Sequence, residues 1–547
     1  MNASRIDAFK EAIRERVLVT KDDARIISRQ PDGNAMLSRW LFDFRAVMLD
    51  PRWLDSYAEI FWERYGDRLP FQVGGMETAA IPLVAAIVMK GVARGTPVNG
   101  FYLRKSRKRE GLMKQIEGTL SEHPVIIVDD LVNSGGSIRK QLEVIKDTGR
   151  RVTDAFVIVA FRNSDAYAAL TAEGLALSHL FDVRDFGLPL ERMRPKDEPR
   201  QLFTTIWKFP GDGSFEHVVQ KSAPVVSDGL VLFGTDSGTF YALDQKDGEI
   251  AWSFETGRHP PGKGIFSCAL VHEGVAYFGA YDGNVYALDA RNGEQRWTYA
   301  EADWVGSSPA IAPGHGLLYI GLEFGLFRRR GGIAAIDMRT GTRRWIAYHP
   351  SLTHGSPVYI REKDLVVIGS NNGVTYAYDA ATGTERWAHQ SGADIKTAPA
   401  YHAAADIVLT PSSDGTLYAL RARDGTIAWA HQTGGIYSTP RVLDGAIYLA
   451  SLDKCLYRLD EYGRIVWAHE TRGRIFASPI LADGSIWIGS NDGRVYEIDP
   501  MHGSTRGFHQ FSERIVNAIC HDPRTKRFFV PTVANELHCC ERAILST

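Results

Sequence analysis

The spacing of apolar and polar residues changes near residue 200 and divides the chain into two parts. In the first part, short apolar runs alternate with helical patterns. The apolar runs predict strands at 71–73, 98–103, 125–128 and 155–160, and the helical patterns predict helices at 50–65, 80–94, 138–146 and 165–173. Strands that alternate with helices form a parallel sheet with crossover helices. We therefore predict an N-terminal α/β domain over residues 1–198, which ends in a charged, proline-containing linker.

In the second part, one sequence unit recurs about every 40 to 48 residues. Each unit begins with a small residue and Pro, continues with an alternating strand and an Asp-Gly type turn, and ends with a Gly turn and a Trp strand. The recurrent tryptophans are Trp207, Trp252, Trp297, Trp345, Trp387, Trp429 and Trp467, and Phe508 takes the next place. Four short strands per repeat predict an all-β propeller over residues 199–547, with the tryptophans packed between blades.

The two ends of this repeat region are incomplete. The first Trp strand, Ile206–Phe209, has no strand set before it, and the last set, Ile515–Glu541, has no Trp strand after it. A propeller must close its ring to bury its blades. We therefore predict eight blades, with residues 203–210 pairing with residues 515–541 to complete the last one.

Composition and charge exclude several classes of protein. The formal net charge of −2 gives no global attraction to nucleic acid, although a local nucleic-acid contact stays open. No run of 18 or more apolar residues predicts a membrane span, and Met1 to Lys21 has the pattern of an amphipathic helix rather than a leader. Five cysteines in 547 residues are typical of a reducing compartment. We expect a cytoplasmic protein without disulfides, in which Cys539 and Cys540 are reduced thiols.

The segment most informative about chemistry is Val125-Ile-Ile-Val-Asp-Asp-Leu-Val-Asn-Ser-Gly-Gly-Ser137. A buried strand ends in two adjacent carboxylates, and a Gly/Ser turn leads into a helical pattern. The backbone N–H groups of such a turn and of the following helix favour an anion, and the carboxylates can hold sugar hydroxyls directly or through a divalent cation. The segment therefore predicts a site for a phosphorylated sugar.

This segment resembles the phosphoribosyl-pyrophosphate (PRPP) motif of type I phosphoribosyltransferases, and several other segments resemble orotate phosphoribosyltransferase. These are the segments at 36–45, 73–82, 103–118 and 157–162. The resemblance implies transfer of phosphoribose from Mg²⁺-PRPP to a nucleobase. It assigns catalysis to Arg104, Lys105, Lys108, Asp129 and Asp130. It assigns PRPP binding to Gly75, Met76, Glu77, Thr78, Asp129, Asp130, Asn133, Ser134, Gly135, Gly136 and Ser137, with Asp129 and Asp130 holding Mg²⁺ indirectly. It assigns base binding to Asn133 and Arg162.

The chain also departs from this family's pattern. Arg39 replaces a Gly, Ala79 and Ala80 replace glycines of the pyrophosphate loop, Glu110 replaces a His or aromatic residue, and Phe161 replaces an Asp. Two hypotheses follow. The first is an active phosphoribosyltransferase that binds PRPP and a nucleobase-like molecule. The second is a catalytically weak sensor of PRPP or nucleotides that anchors the propeller.

The second part resembles the pyrroloquinoline-quinone (PQQ)-type propeller repeat. Because no Cys-x-x-Cys-His haem motif accompanies it, PQQ is not expected, and a quinone-dependent dehydrogenase is the least favoured hypothesis. The expected role is a scaffold for a protein partner, in a specialised signalling, stress or defence function. We also expect a homodimer formed through the N-terminal domain.

Overall fold

The computed structural model describes residues 3–29, 35–104, 115–133, 135–162, 164–172, 174–188, 202–211, 222–260, 263–326 and 329–543. The chain divides near residue 200 into two compact units. The first is an α/β domain and the second is an eight-bladed propeller, so the predicted fold class is confirmed.

The first unit is built on one six-stranded sheet. Its helices are α1 (Ala3–Arg16), α2 (Pro51–Tyr65), α3 (Ala80–Ala93), α4 (Gly136–Lys146) and α5 (Ala168–Ala172). Its strands are β1 (Leu18–Arg29), β2 (Ala35–Phe42), β3 (Gln72–Met76), β4 (Asn99–Leu103), β5 (Ile116–Gly118), β6 (Val125–Val132), β7 (Val152–Ala160) and β8 (Ala176–Asp182). The sheet order is β5-β4-β3-β6-β7-β8, parallel except for β5, and β1 pairs with β2 in a separate hairpin. Helices cover both faces of the sheet. Side chains on the two faces of β7 therefore pack into two different apolar clusters, Phe156 and Ile158 into one and Ala155 and Val157 into the other.

Several sequence-based boundaries were wrong; the strands predicted at 71–73 and 155–160, for example, are Gln72–Met76 and Val152–Ala160. Two further differences concern the start of the chain and the acidic strand. The predicted helix from Met1 to Lys21 ends at Arg16, and a strand begins at Leu18. The strand predicted over 125–128 continues to Val132, so the two acidic residues lie within it rather than after it. The physical reason is that β7 offers parallel hydrogen-bonding partners as far as Ala160. Long tertiary pairing of this kind overrides the local preference for a turn after the acids.

The second unit consists of eight four-stranded antiparallel sheets. The first four blades contain, from the first strand to the fourth, Val225–Ser227, Leu230–Gly234, Thr239–Asp244 and Ile250–Glu255; Leu270–His272, Val275–Gly279, Val285–Asp289 and Gln295–Tyr299; Ala310–Ala312, Leu317–Phe324, Arg330–Asp337 and Arg343–His349; Val358–Ile360, Leu365–Gly369, Val374–Asp379 and Glu385–Gln390. The first strands of neighbouring blades contact one another, so they form the inner ring of the propeller.

The other four blades follow in the same order. They contain Ala400–His402, Ile407–Pro411, Thr416–Arg421 and Ile427–Gln432; Arg441–Leu443, Ala446–Ala450, Cys455–Leu459 and Ile465–Glu470; Ile480–Ala482, Ser485–Gly489, Arg494–Ile498 and Thr505–Gln510; Cys520–Asp522, Arg527–Pro531, Leu537–Arg542 and Phe203–Phe209. The fourth strand of blade 8 is therefore the N-terminal strand of the unit. It pairs antiparallel with Leu537–Arg542, and the inner strands of blades 8 and 1 contact each other.

Each recurrent tryptophan joins its blade to the next one. Its indole packs against the glycine of the next blade's outer hairpin; a Cβ on Gly383, for example, would lie 2.5 Å from Trp345. Each indole N–H also donates to a backbone carbonyl of that blade at 2.8 to 3.3 Å; the pairs are Trp207 with Gln245, Trp252 with Ala290, Trp297 with Met338, Trp345 with Ala380, Trp387 with Ala422, Trp429 with Glu461 and Trp467 with Pro500. The recurrence of Trp and Gly in the sequence thus encodes the contacts between blades.

Phe508 breaks this pattern for a structural reason. It lies on the fourth strand of blade 7 and packs in the apolar cluster that it shares with Trp467 of blade 6. The next blade, blade 8, takes its third and fourth strands from opposite ends of the unit. Blade 8 therefore has no outer hairpin and no hairpin glycine on which an indole can pack. Phe508 is 5% exposed and packs under the guanidinium of Arg494 instead, 4.0 Å from the ring centre.

Within the residues that the structure describes, no helix is long and apolar enough to cross a membrane. No disulfide joins the five cysteines, which all lie in the described residues; Cys455, Cys539 and Cys540 are buried. Burial raises the pKa of Cys539 to about 12, and it raises the pKa of Cys540 above its ordinary range.

Candidate functional site in the N-terminal domain

The parallel register of the sheet brings the ends of β3, β4, β6 and β7 to one edge. Gly74 pairs with Ile127, so Gly75 and Met76 lie beside the acidic end of β6. On the other side of β6, Asp129 pairs with Val157 on β7. Ligands of open α/β sheets bind outside the carboxyl ends of the strands. The segments that the sequence singled out therefore converge at the edge where a ligand is expected.

Asp129 and Asp130 form the polar centre of this edge. Asp129 is 7% exposed, and its carboxylate accepts hydrogen bonds from the Asp130 backbone N–H (3.1 Å), the Ser137 hydroxyl (3.3 Å) and the Gln141 amide (3.5 Å). Asp130 is half-buried beside it. Two adjacent acids on one strand ordinarily point to opposite faces, and here hydrogen bonds hold the first of them in the protein interior.

Burial dominates the electrostatics of the pair. It raises the pKa of Asp129 well above its usual range, and the neighbouring Asp130 adds to the effect. Burial likewise raises the pKa of Asp130. In the described part of the chain, neither carboxylate takes part in an ion pair with Lys, Arg or His. Since no cationic side chain among the described residues pairs with these two carboxylates, they are suited to a cationic ligand.

These residues fit Mg²⁺ bound together with a phosphorylated substrate. In the described ranges, no three His, Cys, Asp or Glu side chains converge on one point, so the protein alone supplies no metal cage. Mg²⁺ commonly binds one or two carboxylates and takes its other ligands from water and substrate phosphates. Two desolvated carboxylates without a cation match that requirement.

A glycine turn leads from the carboxylates into α4. Gly135 has φ +75°, and a Cβ at this position would approach Leu170 Cδ1 to 2.8 Å. Gly136 and Ser137 form the first turn of α4, where backbone N–H groups have no partner within the helix. Ser134 lies outside the described residues. The described turn has the geometry and the donors expected of a phosphate-binding loop.

The end of β3 approaches the same place closely. A Cβ on Gly75 would lie 2.4 Å from the Val128 carbonyl oxygen and 2.3 Å from Ala80 Cβ, so no larger residue fits. Met76 is buried, Glu77 is half-buried and Thr78 is exposed, and the peptide bond between Glu77 and Thr78 is cis. Ala80, one of the two alanines in place of the usual glycines, therefore packs directly against the Gly75 backbone.

Asn133 and Arg162, both assigned to the base, lie together. The Arg162 Nε–H donates to Asn133 Oδ1 at 2.8 Å, and Arg162 is 7% exposed. Tyr167 donates to the Val132 carbonyl at 3.0 Å and fixes the backbone just before Asn133. Phe161 packs against the apolar cluster of the domain, so the position of the family's Asp contributes no polar group.

Arg104 is the only residue of the basic segment 104–109 that the structure describes. Its backbone N–H donates to the Gln115 carbonyl at 2.8 Å, and its guanidinium lies 3.8 Å from Glu117. Its Nε is buried without a hydrogen-bond partner among the described residues. Lys105, Lys108 and Glu110 lie outside the described residues, as does the side chain of Arg39.

Sequence reasoning missed Gln141. It is fully buried, and its amide donates to Asp129 and to the Ser137 hydroxyl at 3.4 Å. The available signal was its spacing: Gln141 follows Ser137 by four residues on α4, which places both on one face of the helix. A buried glutamine at such a position on an otherwise apolar helix face indicates a polar partner.

A second polar group that the sequence did not reveal lies in the propeller. Tyr281 Oη is 2.7 Å from His354 Nε2, and His354 Nδ1 is 2.7 Å from Glu323, which is 1% exposed. The three residues come from different repeats, so no local motif joins them. Desolvation raises the pKa of Tyr281 well above its ordinary value.

The two units are similar to different known proteins, and the N-terminal domain is similar to orotate phosphoribosyltransferases. The orotate phosphoribosyltransferase of Bradyrhizobium sp. (strain ORS 278) is 32% identical over 154 residues, which are 27% of this chain and 83% of the relative. That of Rhodopirellula baltica is 36% identical over 167 residues, 30% of this chain and 79% of the relative.

The propeller matches other proteins. A family model described as "Outer membrane protein assembly factor BamB" matches residues 204–310, 329–436 and 371–539. Among solved structures, BamB from Moraxella catarrhalis is similar with a TM-score of 0.50 and 18% identity, covering 63% of this chain and 99% of that chain. A quinohemoprotein alcohol dehydrogenase from Comamonas testosteroni has a TM-score of 0.52 and 14% identity, covering 63% and 78%.

Identities this low show the propeller fold alone, whereas the family model and the transferase relatives extend over most of the units they match. The chain therefore belongs to two families: through its N-terminal domain to the orotate phosphoribosyltransferases, and through its propeller to the PQQ-type repeat proteins described as outer membrane protein assembly factor BamB.

Proposed function

We propose that the N-terminal domain binds Mg²⁺-PRPP and transfers its phosphoribosyl group to a pyrimidine-like or carboxylated base. The observation that carries this proposal is the pair Asp129 and Asp130, desolvated and without a cationic partner, directly before a glycine turn that opens a helix. Homology to orotate phosphoribosyltransferases supports the same reaction class.

Each group has a distinct role in this proposal. Asp129 and Asp130 accept hydrogen bonds from the ribose hydroxyls, while the N–H groups at Gly136 and Ser137 hold the 5′-phosphate. Gln141 and Ser137 keep the Asp129 carboxylate in position. Bound Mg²⁺ would supply neutralisation of the pyrophosphate's negative charge.

In this proposal, the basic segment that begins at Arg104 stabilises the charge that develops on the leaving pyrophosphate. As the C1–O bond breaks, the sugar becomes oxocarbenium-like, and a nucleobase nitrogen attacks C1. Catalysis of this kind depends mainly on positioning and on electrostatic stabilisation of the leaving group. Arg104, Lys105 and Lys108 are the proposed sources of that stabilisation.

The test is release of pyrophosphate from PRPP. The purified full chain is incubated with Mg²⁺, PRPP and a panel of orotate, uracil, cytosine, adenine and hypoxanthine. We expect pyrophosphate release that requires a base and is fastest with a pyrimidine. Tight PRPP binding without release would support instead the catalytically weak sensor, which the apolar packing of Phe161 favours.

Base preference gives a sharper prediction. Replacing Arg162 with Gln should lower kcat/KM for a carboxylated pyrimidine about 10- to 100-fold, because a charge-assisted hydrogen bond contributes roughly 1.5–3 kcal/mol. KM for PRPP should change little. Arg184→Gln is the matched control, since Arg184 is exposed and pairs with Asp182 away from β6. An equal loss for uncharged bases would contradict the role of Arg162.

For the propeller we propose a scaffold role with a protein partner. In blade 3 the central hairpin is lengthened to two eight-residue strands. Near its tip Leu326 is 63% exposed. Tyr348, on the fourth strand paired with this hairpin, is 49% exposed and has the Arg330 guanidinium 4.0 Å from its ring centre. Aromatic and arginine side chains dominate binding hot spots. A cytoplasmic location, a homodimer through the N-terminal domain and a specialised signalling, stress or defence role remain parts of this proposal.

A further inference from the structure

Each junction between neighbouring blades contains one pair of equivalent side chains, one on the third strand of a blade and one on the second strand of the next blade. The strand register makes these positions equivalent in all eight blades. At six junctions both side chains belong to one apolar cluster; the pairs are Phe240 with Phe278, Val285 with Ile320, Ile333 with Ile368, Leu417 with Leu449, Leu456 with Ile488, and Leu537 with Phe233. The rings of the first pair stack with centres 4.1 Å apart, so the two positions meet directly.

The junction between blades 4 and 5 is the exception. There the pair is Thr375 and Thr410, whereas both positions are apolar at the other seven junctions. Thr375 lies two residues before Ala377, and Thr410 lies two residues after Val408. Ala377 and Val408 pack together in the apolar cluster between these two blades. Because strand residues two apart face the same side of a sheet, both threonines face into the junction.

Strand register and one ring contact place the two threonines in a single patch. Thr375 pairs with His389 on the next strand of blade 4, and Thr410 pairs with Tyr418 on the next strand of blade 5. Directly paired residues on one face of a sheet lie about 5 Å apart. The rings of His389 and Tyr418 meet across the junction, with centres 5.6 Å apart. The four side chains therefore surround the same small volume between the blades.

Three polar atoms of this patch are buried without a partner. Both threonines are fully buried, and neither hydroxyl makes a hydrogen bond to another described residue. His389 Nε2 is buried in the same way. A hydrogen bond to the Gly425 backbone occupies the other ring nitrogen of His389, so Nε2 is left as an acceptor. Buried polar atoms without a protein partner are costly, and in native proteins ordered water commonly satisfies them.

The next junction along the ring provides an internal control. His431 takes the place of His389 in blade 5, and its Nε2 is also buried without a partner among the described residues. The paired positions there are Leu417 and Leu449, which fill the space with apolar side chains. These three residues would give a water molecule one polar partner, whereas a buried water typically makes about three hydrogen bonds. The junction with the two threonines offers three.

We propose that a buried water molecule binds between blades 4 and 5, held by the hydroxyls of Thr375 and Thr410 and by His389 Nε2. The water donates one hydrogen bond to His389 Nε2 and one to a threonine oxygen, and it accepts the proton of the other hydroxyl. The ring thus has one hydrogen-bonded junction, opposite the junction between blades 8 and 1. This site is independent of the proposed transferase and scaffold functions.

A high-resolution crystal structure of the full chain tests the site directly. We expect an ordered water within about 2.7–3.2 Å of Thr375 Oγ1, Thr410 Oγ1 and His389 Nε2. No ordered water is expected beside His431 Nε2. Absence of water between the threonines, or a direct hydrogen bond between the two hydroxyls, would overturn the proposal. An equally ordered water beside His431 would overturn the role given to the threonines.

Substitutions of nearly equal shape test the energetic role of the water. Thr375→Val and Thr410→Val each remove one of its partners and should raise the equilibrium constant for unfolding of the propeller about fivefold or more. Thr204→Val is the control, since Thr204 is an exposed strand residue, and it should change the constant little. Denaturant unfolding followed by tryptophan fluorescence measures these effects.

The sign of the change separates a hydrated junction from a dry one. In a dry junction each valine would remove an unpaired hydroxyl and make the propeller more stable. In the hydrated junction both hydroxyls bind the same water, so the double variant should cost less than the product of the two single effects. Valine variants at least as stable as the wild type, or fully multiplicative effects in the double variant, would contradict the proposal.

Discussion

Replacing Asp129 and Asp130 together with asparagine is expected to abolish phosphoribosyl transfer while making the N-terminal domain more stable at neutral pH. Transfer should fall at least about 100-fold, since loss of a single preorganised electrostatic group costs that much in other enzymes. Stability should rise, because burial raises the pKa of both carboxyl groups and so disfavours their charged forms in the folded protein at neutral pH. Thermal unfolding and pyrophosphate release measure the two effects on one preparation.

The gain in stability should depend on pH with a definite sign. Both carboxyl groups have raised pKa values in the folded protein, so between pH 4 and those values the folded state binds more protons than the unfolded state. Wild-type stability should therefore fall as pH rises through this window, and the double variant should lack this fall. Asp67→Asn is the matched control, since Asp67 is exposed. A double variant less stable than the wild type at pH 7 would contradict the electrostatic description of the site.

The second large effect is expected where the propeller closes. Phe203 on the closing strand is fully buried; it stacks on Trp487 and packs against the tilted ring of Phe528, with ring centres 5.2 and 5.1 Å away. Phe203→Ala should lower the free energy of unfolding of the propeller by about 3–5 kcal/mol, the cost of deleting a large buried ring. Denaturant unfolding followed by tryptophan fluorescence measures it.

Ile206 provides the control on the same strand. Its side chain is 40% exposed, so Ile206→Ala should change the free energy of unfolding by well under half as much. Equal effects of the two substitutions would mean that the strand contributes through its backbone pairing alone. No effect of Phe203→Ala would mean that the ring is stable without this strand.

The repeat could be recognised in the sequence because Trp and Gly make the same contact at seven of the eight junctions between blades. The contact joins residues at a fixed spacing along the chain, so the sequence repeats with the same period as the blades. The secondary structure at the start of the chain was harder to predict from the sequence. An apolar spacing that continues past Arg16 does not distinguish a longer helix from the strand that begins at Leu18, because pairing with β2 decides the outcome.

Part of the candidate site could be predicted from the sequence for a similar reason. Asp129, Gly135 and Ser137 are close in sequence, and a strand, a turn and a helix bring them together without long-range information. The contact between Asn133 and Arg162 depends on the register of β6 and β7, and was reached only through family resemblance.

Binding of Mg²⁺-PRPP tests the central claim most directly. Isothermal titration of the full-length protein with PRPP, with and without Mg²⁺, is compared for the wild type, Asp129→Asn/Asp130→Asn and Asp67→Asn. The account predicts Mg²⁺-dependent binding at micromolar to sub-millimolar strength for the wild type and Asp67→Asn, weakened at least about 100-fold in the double variant. Equal affinity of the wild type and the double variant would contradict it.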